Sequence, residues 1–470
     1  MTAQPIPKNR LTLSTKIIYG MASLGTSTVA SIYGALLPIF YQDYLGLSSR
    51  WIGIASAIYA VWNAFNDPIF GFITDNTRSK LGRRIPYMRF TAPFLALTFI
   101  LVWFAPEGVG EIAQFWWMLV TMLLYDTAYT IIGLVHGALM PELTESDVER
   151  NQLSISSTLF GMVGYILGFL LPDMFRPRPG AESSTMLSLQ LSMVAVGIIS
   201  AFFIIWMTYK VKERRAFAIV DEPLKFWESL RYTLTNKSFW AFVTMNFLLT
   251  FMFSLSTGSI YYLADYVTQS STMVLMVYLF IPLAIGIPLT NLAVKKLGLV
   301  WAQLLYMIIA GVGLVSVAFV PTALIVLSLA VTGFGMSGQQ TITYNILALV
   351  IDEDEVRTGR RREGAFYGAN ALLTKPAQSL ALFLTAFILE RSGFITRAMN
   401  AGLIYLNQST SALFGIRAIV GLIPGIAMFL GAAILLFFPL KGQRLAELKE
   451  KILVMHADKE TRLAEMESGS

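Results

Sequence analysis

Four ionisable residues stand in stretches of sequence otherwise dominated by apolar side chains: Asp67, Asp126, His136 and Lys375. An ionised group at membrane depth is costly, and it is retained where it pairs, relays protons or grips a solute. Asp67 lies in Trp62-Asn63-Ala64-Phe65-Asn66-Asp67-Pro68. Asn63 falls one helical turn before it on the same face. Pro68 frees the carbonyl of residue 64, so backbone oxygen can gather beside the carboxylate. Two roles fit Asp67: a structural carboxylate paired to a cation, or a site for a coupling proton or metal cation. Lys375, in Asn370-Ala371-Leu372-Leu373-Thr374-Lys375-Pro376, must find an anion or lose its proton. Asp67 is its economical partner. Asp126, Thr130, Gly133 and Gly137 share one stripe, where Asp126 suits a substrate or proton role and equally a carboxylate satisfied by neighbouring hydroxyls. His136 reads as an interface histidine, with a proton relay as the alternative.

Uncharged polar residues interrupt the same apolar stretches: Tyr19, Thr26 and Ser27; Asn246, Thr250, Ser254 and Thr257; Gln339, Gln340, Thr343, Tyr344 and Asn345; Tyr367, Asn370, Thr374 and Gln378. Such groups glue helices together. Hydroxyls and amides with an aromatic among them also suit a polyhydroxylated ligand.

The elements that must position these residues are membrane helices. Of 470 residues, 55% are hydrophobic and 14% charged, and mean hydropathy is +0.62, against about 25% charged residues in soluble domains. A helix needs about 20 apolar residues to cross a bilayer. Spans are expected near 16–40, 50–74, 86–105, 112–139, 153–173, 185–209, 239–264, 271–292, 299–319, 322–350, 364–390 and 411–440. The expected class is therefore all-α, polytopic, with twelve transmembrane helices in two six-helix halves, 1–209 and 239–440. A cytoplasmic connection covers 210–238, and a tail with apolar residues at helical spacing covers 441–470. The first apolar stretch is too long for a cleavable signal peptide and lacks a small-residue cleavage site. With the N-terminus inside, 28 of the 35 Lys and Arg residues fall in or beside inner segments, while Arg50, Arg176, Arg178, Arg391, Arg397 and Arg417 fall outside. This asymmetry predicts a multi-pass protein of a prokaryotic plasma (inner) membrane with both termini cytoplasmic. It also explains the net charge of +6 without nucleic acid. The absence of cysteine removes disulfides, thiolate metal sites and cysteine nucleophiles.

Two six-span halves around a basic central loop resemble the major facilitator superfamily, whose site lies near the midplane between the halves. Gly71-Phe-Ile-Thr-Asp75-Asn-Thr-Arg78-Ser-Lys80-Leu-Gly82-Arg83-Arg84 is similar to that superfamily's loop between spans two and three. The resemblance sharpens to the glycoside–pentoside–hexuronide:cation symporter family (melibiose-permease-like) over nearly the whole chain. It rests on Lys16-Ile-Ile-Tyr19-Gly20 with Gly25, Tyr41-Gln-Asp43-Tyr-Leu-Gly46-Leu47, Asn66-Asp67-Pro68-Ile-Phe-Gly71, Thr77-Arg78-Ser79, Ala128-Tyr129-Thr130, Arg362-Glu363-Gly364 and the placement of Lys375. The resemblance implies a cation site at Asp67, Asn63 and Thr130 with Lys375 as counter-charge. One family carboxylate is replaced here by Asn63, and the family's two sugar-gripping aspartates align with Ser27 and Gly133, so the galactoside grip is missing. Tyr344 corresponds to a family aromatic that packs on the sugar.

The expected function is cation-coupled symport of a sugar, glycoside, uronide or related small organic solute by alternating access. The coupling ion is H⁺ in preference to Na⁺, because one titrating carboxylate suffices for a proton. No other cofactor is expected, and the chain is expected to act as a monomer in the lipid bilayer. Ser27, Asp126, Gly133, Tyr344, Asn370 and Gln378 are expected to line the solute pocket. Arg78, Arg83, Arg84 and the Arg357–Arg362 cluster are expected to pair with Asp75, Glu142, Asp352 and Glu353 as a cytoplasmic gate. A lysolipid or organic-anion transporter is the alternative that the resemblance admits. An embedded enzyme lacks metal ligands and a nucleophile–base constellation. Reporter fusions test the topology: both termini should report inside and an insertion at 176–180 outside, and a terminus reporting outside would break the assignment.

Overall fold

In hydrocarbon every backbone N–H and C=O must be satisfied within its own segment, so long apolar runs become helices. The structure, a computed structural model, describes residues 11–76, 84–106, 108–143, 147–177, 185–211, 233–359, 363–400, 402–452 and 454–455. Within them α1 spans Leu13–Pro38, α2 Ser49–Asn76, α3 Ile85–Trp103, α4 Glu111–Leu143, α5 Asp147–Phe175 and α6 Met186–Lys210. Then follow α7 (Lys237–Gly258), α8 (Thr272–Leu297), α9 (Leu299–Phe319) and α10 (Ile325–Thr358). The helix α11 has two segments, Glu363–Thr374 and Pro376–Arg391, broken at Lys375 because Pro376 opens the second. The helix α12 also has two, Thr410–Arg417 and Ile423–Leu436, joined by a π-helical turn Ala418–Leu422. No strand occurs among the described residues.

Eleven of these helices are long and apolar enough to cross a membrane. The twelfth, α2, has 28 residues, enough for about 42 Å at 1.5 Å per residue. Its apolar character is diluted by Asn63, Asn66 and Asp67. Several helices run past the expected span ends, and two do so through π-helical turns: α1 continues into Ile39–Tyr44, and α7 leads through Ile260–Tyr262 into Leu263–Thr268.

Packing divides the chain into two compact units drawn from non-contiguous segments. One comprises Met1–Asp221, Ser254–Met276 and Ser379–Ile419; the other comprises Glu222–Phe253, Val277–Gln378 and Val420–Ser470. In the first, α1 lies against α5 so closely that Ser31 Oγ donates to the Tyr165 carbonyl at 2.9 Å and Ser156 Oγ to the Lys16 carbonyl at 2.8 Å. A Cβ on Gly164 would run into the Leu24 carbonyl oxygen, and one on Gly168 into Ser31. In the second unit, Gly333 and Gly335 of α10 make the same close approach to backbone at Leu279 and Ala310. Small residues draw membrane helices together because lipid supplies no hydrophobic drive between them. Gly164→Val should therefore lower stability by about 1–3 kcal/mol through overpacking. Thermal unfolding in detergent reads the loss, with Gly133→Ala, where a Cβ meets open space, as the neutral control.

Candidate functional site

The helix α2 turns Tyr59, Asn63 and Asn66 onto one face, and α4 presents Asp126 to it. Tyr59 OH donates to Asp126 Oδ1 at 2.9 Å and Asn66 Nδ2 donates to Asp126 Oδ2 at 2.7 Å. Trp62 Nε1 donates to Thr127 Oγ1 at 3.1 Å, fixing the same pair of helices. Asn63, Asn66, Asp126 and Thr130 are all buried. Asp67 is half-buried, about 100° around the helix from Asn66 at 3.6 residues per turn. It is the neighbouring asparagine that meets Asp126. Tyr33 stacks on Tyr125 with centroids 4.2 Å apart, and Tyr125 lies 6.0 Å from Tyr129, so an aromatic column flanks the carboxylate.

Other expected residues are distributed over both units. Ser27 is half-buried on α1, near Gly161 of α5. Gly133 is exposed with open space around it. In the second unit Tyr344 and Tyr367 stack at 6.1 Å, each about half exposed at 54% and 46%. Asn370 is buried and accepts a hydrogen bond from Asn246 Nδ2 at 2.9 Å, while Gln378 is exposed. Lys375 is half-buried at the break of α11. Asp67 belongs to the first unit and Lys375 to the second. His136 is held on both counts, by ring and by backbone. It stacks on Tyr19 at 4.3 Å, and Tyr19 OH donates to its carbonyl at 2.8 Å. Arg84 is buried at the start of α3. The side chains of Asp75 and Glu142, and Arg78, Arg83 and Arg362, lie outside the described residues.

A second constellation escaped the sequence reading. In the first unit, Arg176 donates to both oxygens of Asp265 at 2.5 and 2.8 Å and to Asp173 at 2.8 Å. Arg397 reaches Asp43 through Nε at 3.0 Å and through its backbone N–H at 2.8 Å, and Asp265 through Nη2 at 2.8 Å. Tyr266 OH donates to Asp43 at 2.6 Å, Ser271 Oγ to Asp173 at 2.8 Å, and Arg397 Nη1 to the Pro177 carbonyl at 2.8 Å. The guanidiniums lie over Tyr261 and Tyr44, at 4.4 and 4.5 Å from the ring centroids. None of the five ionic side chains exceeds 5% exposure. Burial works against the charge on Arg397, but Tyr44, Asp43, Tyr266 and Asp265 outweigh it and hold its pKa above the ordinary arginine value. The signal was present in Asp43, Asp173 and Asp265, each at the edge of an apolar run. The expected spans ended at 40, 173 and 264, which assigned these acids to span ends or loops; the π-helical turns carry Asp43 and Asp265 inside.

Long apolar helices, with α1 and α7 running into π-helical turns at Asp43 and Asp265 and α11 broken at Lys375, and buried carboxylates between them define a polytopic membrane transporter of the major facilitator fold. Solved structures agree: the chain matches the inward-open xylose transporter XylE of E. coli with a TM-score of 0.60 and 12% identity over 93% of this chain and 99% of that one. A bacterial homologue of the human lysosomal transporter Spinster, inward-facing and unoccupied, gives 0.66 and 11% over 94% and 97%. The sequence profile of the MFS/sugar transport protein family matches residues 18–442, and the chain belongs to that family. It is 27% identical to the uncharacterized symporter sll1374 of Synechocystis sp., over 93% of this chain and 96% of that one. It is 24% identical to the isoprimeverose transporter of Lactiplantibacillus pentosus (96% and 94%). It is 21% identical to sodium-dependent lysophosphatidylcholine symporter 1 of Xenopus tropicalis (95% and 90%). The chain is a transporter, not an enzyme.

Removing one partner from the ionic constellation leaves a buried charge uncompensated, typically at a cost of about 3–5 kcal/mol. Arg176→Met should therefore lower the unfolding temperature far more than Arg50→Met, whose side chain is exposed. Equal melting of the two variants would deny the network a structural role.

Proposed function

We propose that this chain imports a sugar-like solute, a glycoside, pentoside or uronide, together with H⁺ across a prokaryotic plasma membrane. It works by alternating access, as a monomer, with both termini cytoplasmic. Na⁺ is the second choice of coupling ion, since hydroxyls and carbonyls can complete its shell around one carboxylate. The observation that carries the reading is the polar face shared by α2 and α4. A membrane bundle does not retain buried carboxylate, amides and phenols without a use for them. Asp67 is the coupling carboxylate, with Asn63 and Thr130 beside it and Lys375 as counter-charge. A proton or cation arriving at Asp67 releases Lys375, and that difference in affinity between states biases the conformation.

Ser27, Gly133, Tyr344, Asn370 and Gln378 line the path of the solute. The stacked, half-exposed Tyr344 and Tyr367 offer a π-face suited to the C–H face of a pyranose ring. Asp126 is different, because its oxygens are already engaged and it is only 6% exposed. The Asp43–Asp173–Arg176–Asp265–Arg397 constellation closes the outer end of the first unit in this orientation. Arg78, Arg83, Arg84, Arg362, Asp75 and Glu142 would serve the inner end. A lysolipid or organic anion is the second reading, favoured by the lysophosphatidylcholine symporter among the relatives and by the cationic head of Lys375.

Uptake into proteoliposomes, with a panel of radiolabelled xylosides, glucosides and glucuronides under imposed pH or Na⁺ gradients, tests the proposal. Asp67→Asn should reduce accumulation of the transported member to its equilibrium level while leaving downhill exchange. Full concentrative uptake in Asp67→Asn would take this residue out of the coupling mechanism.

A further inference from the structure

Asn66 has no solvent exposure, and while its Nδ2 donates to Asp126, its Oδ1 has no hydrogen-bond partner. One turn earlier on the same face, Asn63 is 2% exposed and its Oδ1 also lacks a donor. Burying amide oxygens without donors is costly, and a packed helix pair would be expected to lose them or satisfy them. Here they lie beside a carboxylate that already accepts from two sides. Among the described residues, phenols lie within electrostatic reach of Asp126: Tyr33 of α1, Tyr59 of α2, and Tyr125 and Tyr129 of α4. The neighbouring α3 adds Phe99, 6.1 Å from Tyr125.

This arrangement distinguishes among ligands. A solute hydroxyl needs an accessible carboxylate, and Asp126 is nearly closed off. A metal cation needs oxygens with free lone pairs directed at it, whereas Tyr59 and Asn66 direct donor hydrogens at Asp126. A proton needs no room. It needs only a carboxylate and, once bound, an acceptor for the new O–H.

We propose that Asp126 is a proton-binding site and that the Asn66 amide is its switch. A hydronium ion gives its proton to Oδ2: one O–H bond of H₃O⁺ breaks as the carboxyl O–H forms, leaving a water molecule and taking the carboxylate from −1 to neutral. As it does so the Asn66 amide turns over. The carboxyl O–H then donates to Asn66 Oδ1, the oxygen that had no donor, while Asp126 Oδ1 still accepts from Tyr59. The turned amide carries its N–H groups toward the side its oxygen left, and Asn63 Oδ1 is the acceptor without a donor one turn away. Release of the proton reverses each step. The site deepens the coupled-transport reading, on which its place in a transport cycle rests, but its chemistry needs no solute.

The test is an infrared titration of the full-length protein in liposomes, without solute, following the carbonyl stretch of protonated carboxyl groups as pH falls. Wild type should show a band that is lost in Asp126→Asn and kept in Asp67→Asn. In Tyr59→Phe and Asn66→Leu, which keep the carboxyl, the band should remain but move in frequency, because that stretch reports the hydrogen bonds of the group. If Asp126→Asn fails to fold, those two variants decide alone. The proposal is overturned if Asp126→Asn removes no band, or if the band it removes stays at its wild-type frequency in both neighbour variants; a separate band lost in Asp67→Asn is that carboxylate's own. Uptake assays run separately: loss of symport with the infrared result intact would sink the transport reading and leave the proton site standing.

Discussion

A charge taken out of water must be met by another charge and by hydrogen bonds, and the first unit of this protein is built around one such settlement. Two guanidiniums and three carboxylates lie together at no more than 5% exposure. Their formal sum is +2 − 3 = −1. Desolvation costs several kcal/mol per ion even after relaxation, so the cluster stands only because nearly every polar atom is used. Asp265 takes both arms of Arg176 and one of Arg397; Asp43 takes a phenol, a guanidinium and a backbone N–H. The price is geometric. Two helices adopt π-helical turns at Ile39–Tyr44 and Leu263–Thr268, a form that is rare and appears frequently at functional sites. Those turns aim Asp43 and Asp265 at Arg397.

The same constraint applies with less charge between α2 and α4. There a single carboxylate is held by a phenol and an amide, and several oxygens remain without donors. A network satisfied at nearly every atom, as the first is with Arg176 Nε the exception, favours one arrangement; a less satisfied one leaves an alternative within reach. Coupling needs that alternative. To move a conformational equilibrium from 1:99 to 99:1, a ligand must favour one state by about 5.5 kcal/mol. Changing the charge on a buried carboxylate supplies energy on that scale, which an exposed pair, worth about 0–1 kcal/mol, does not.

Much of this architecture was legible in the sequence. Apolar runs gave the helices, and the polar interruptions at Asn63, Asp67 and Asp126 marked α2 and α4 before any coordinate. Two physical facts were hidden. Hydropathy ends a span where polar residues begin, so Asp43 and Asp265 were read as lying outside the helices, although π-helical turns continue through them. Arg176 and Arg397 looked like exceptions to the basic asymmetry, because sequence shows which residues are charged but not which carboxylates they meet. Rotation about a helix was the other. Asp67 drew attention as the charged residue, yet its neighbour Asn66 faces Asp126, and only side-chain placement reveals that the amide oxygen there lacks a donor. The span expected over 364–390 was continuous, whereas Pro376 breaks α11 at Lys375.

In the proposed symport a cation and a solute cross together. Charge movement recorded from proteoliposomes on a solid-supported membrane, as each of a panel of neutral glycosides is added, measures that directly. A transported glycoside should evoke an inward current that scales with the imposed H⁺ or Na⁺ concentration. Glycoside uptake with no accompanying current, at every pH and Na⁺ concentration, would contradict it.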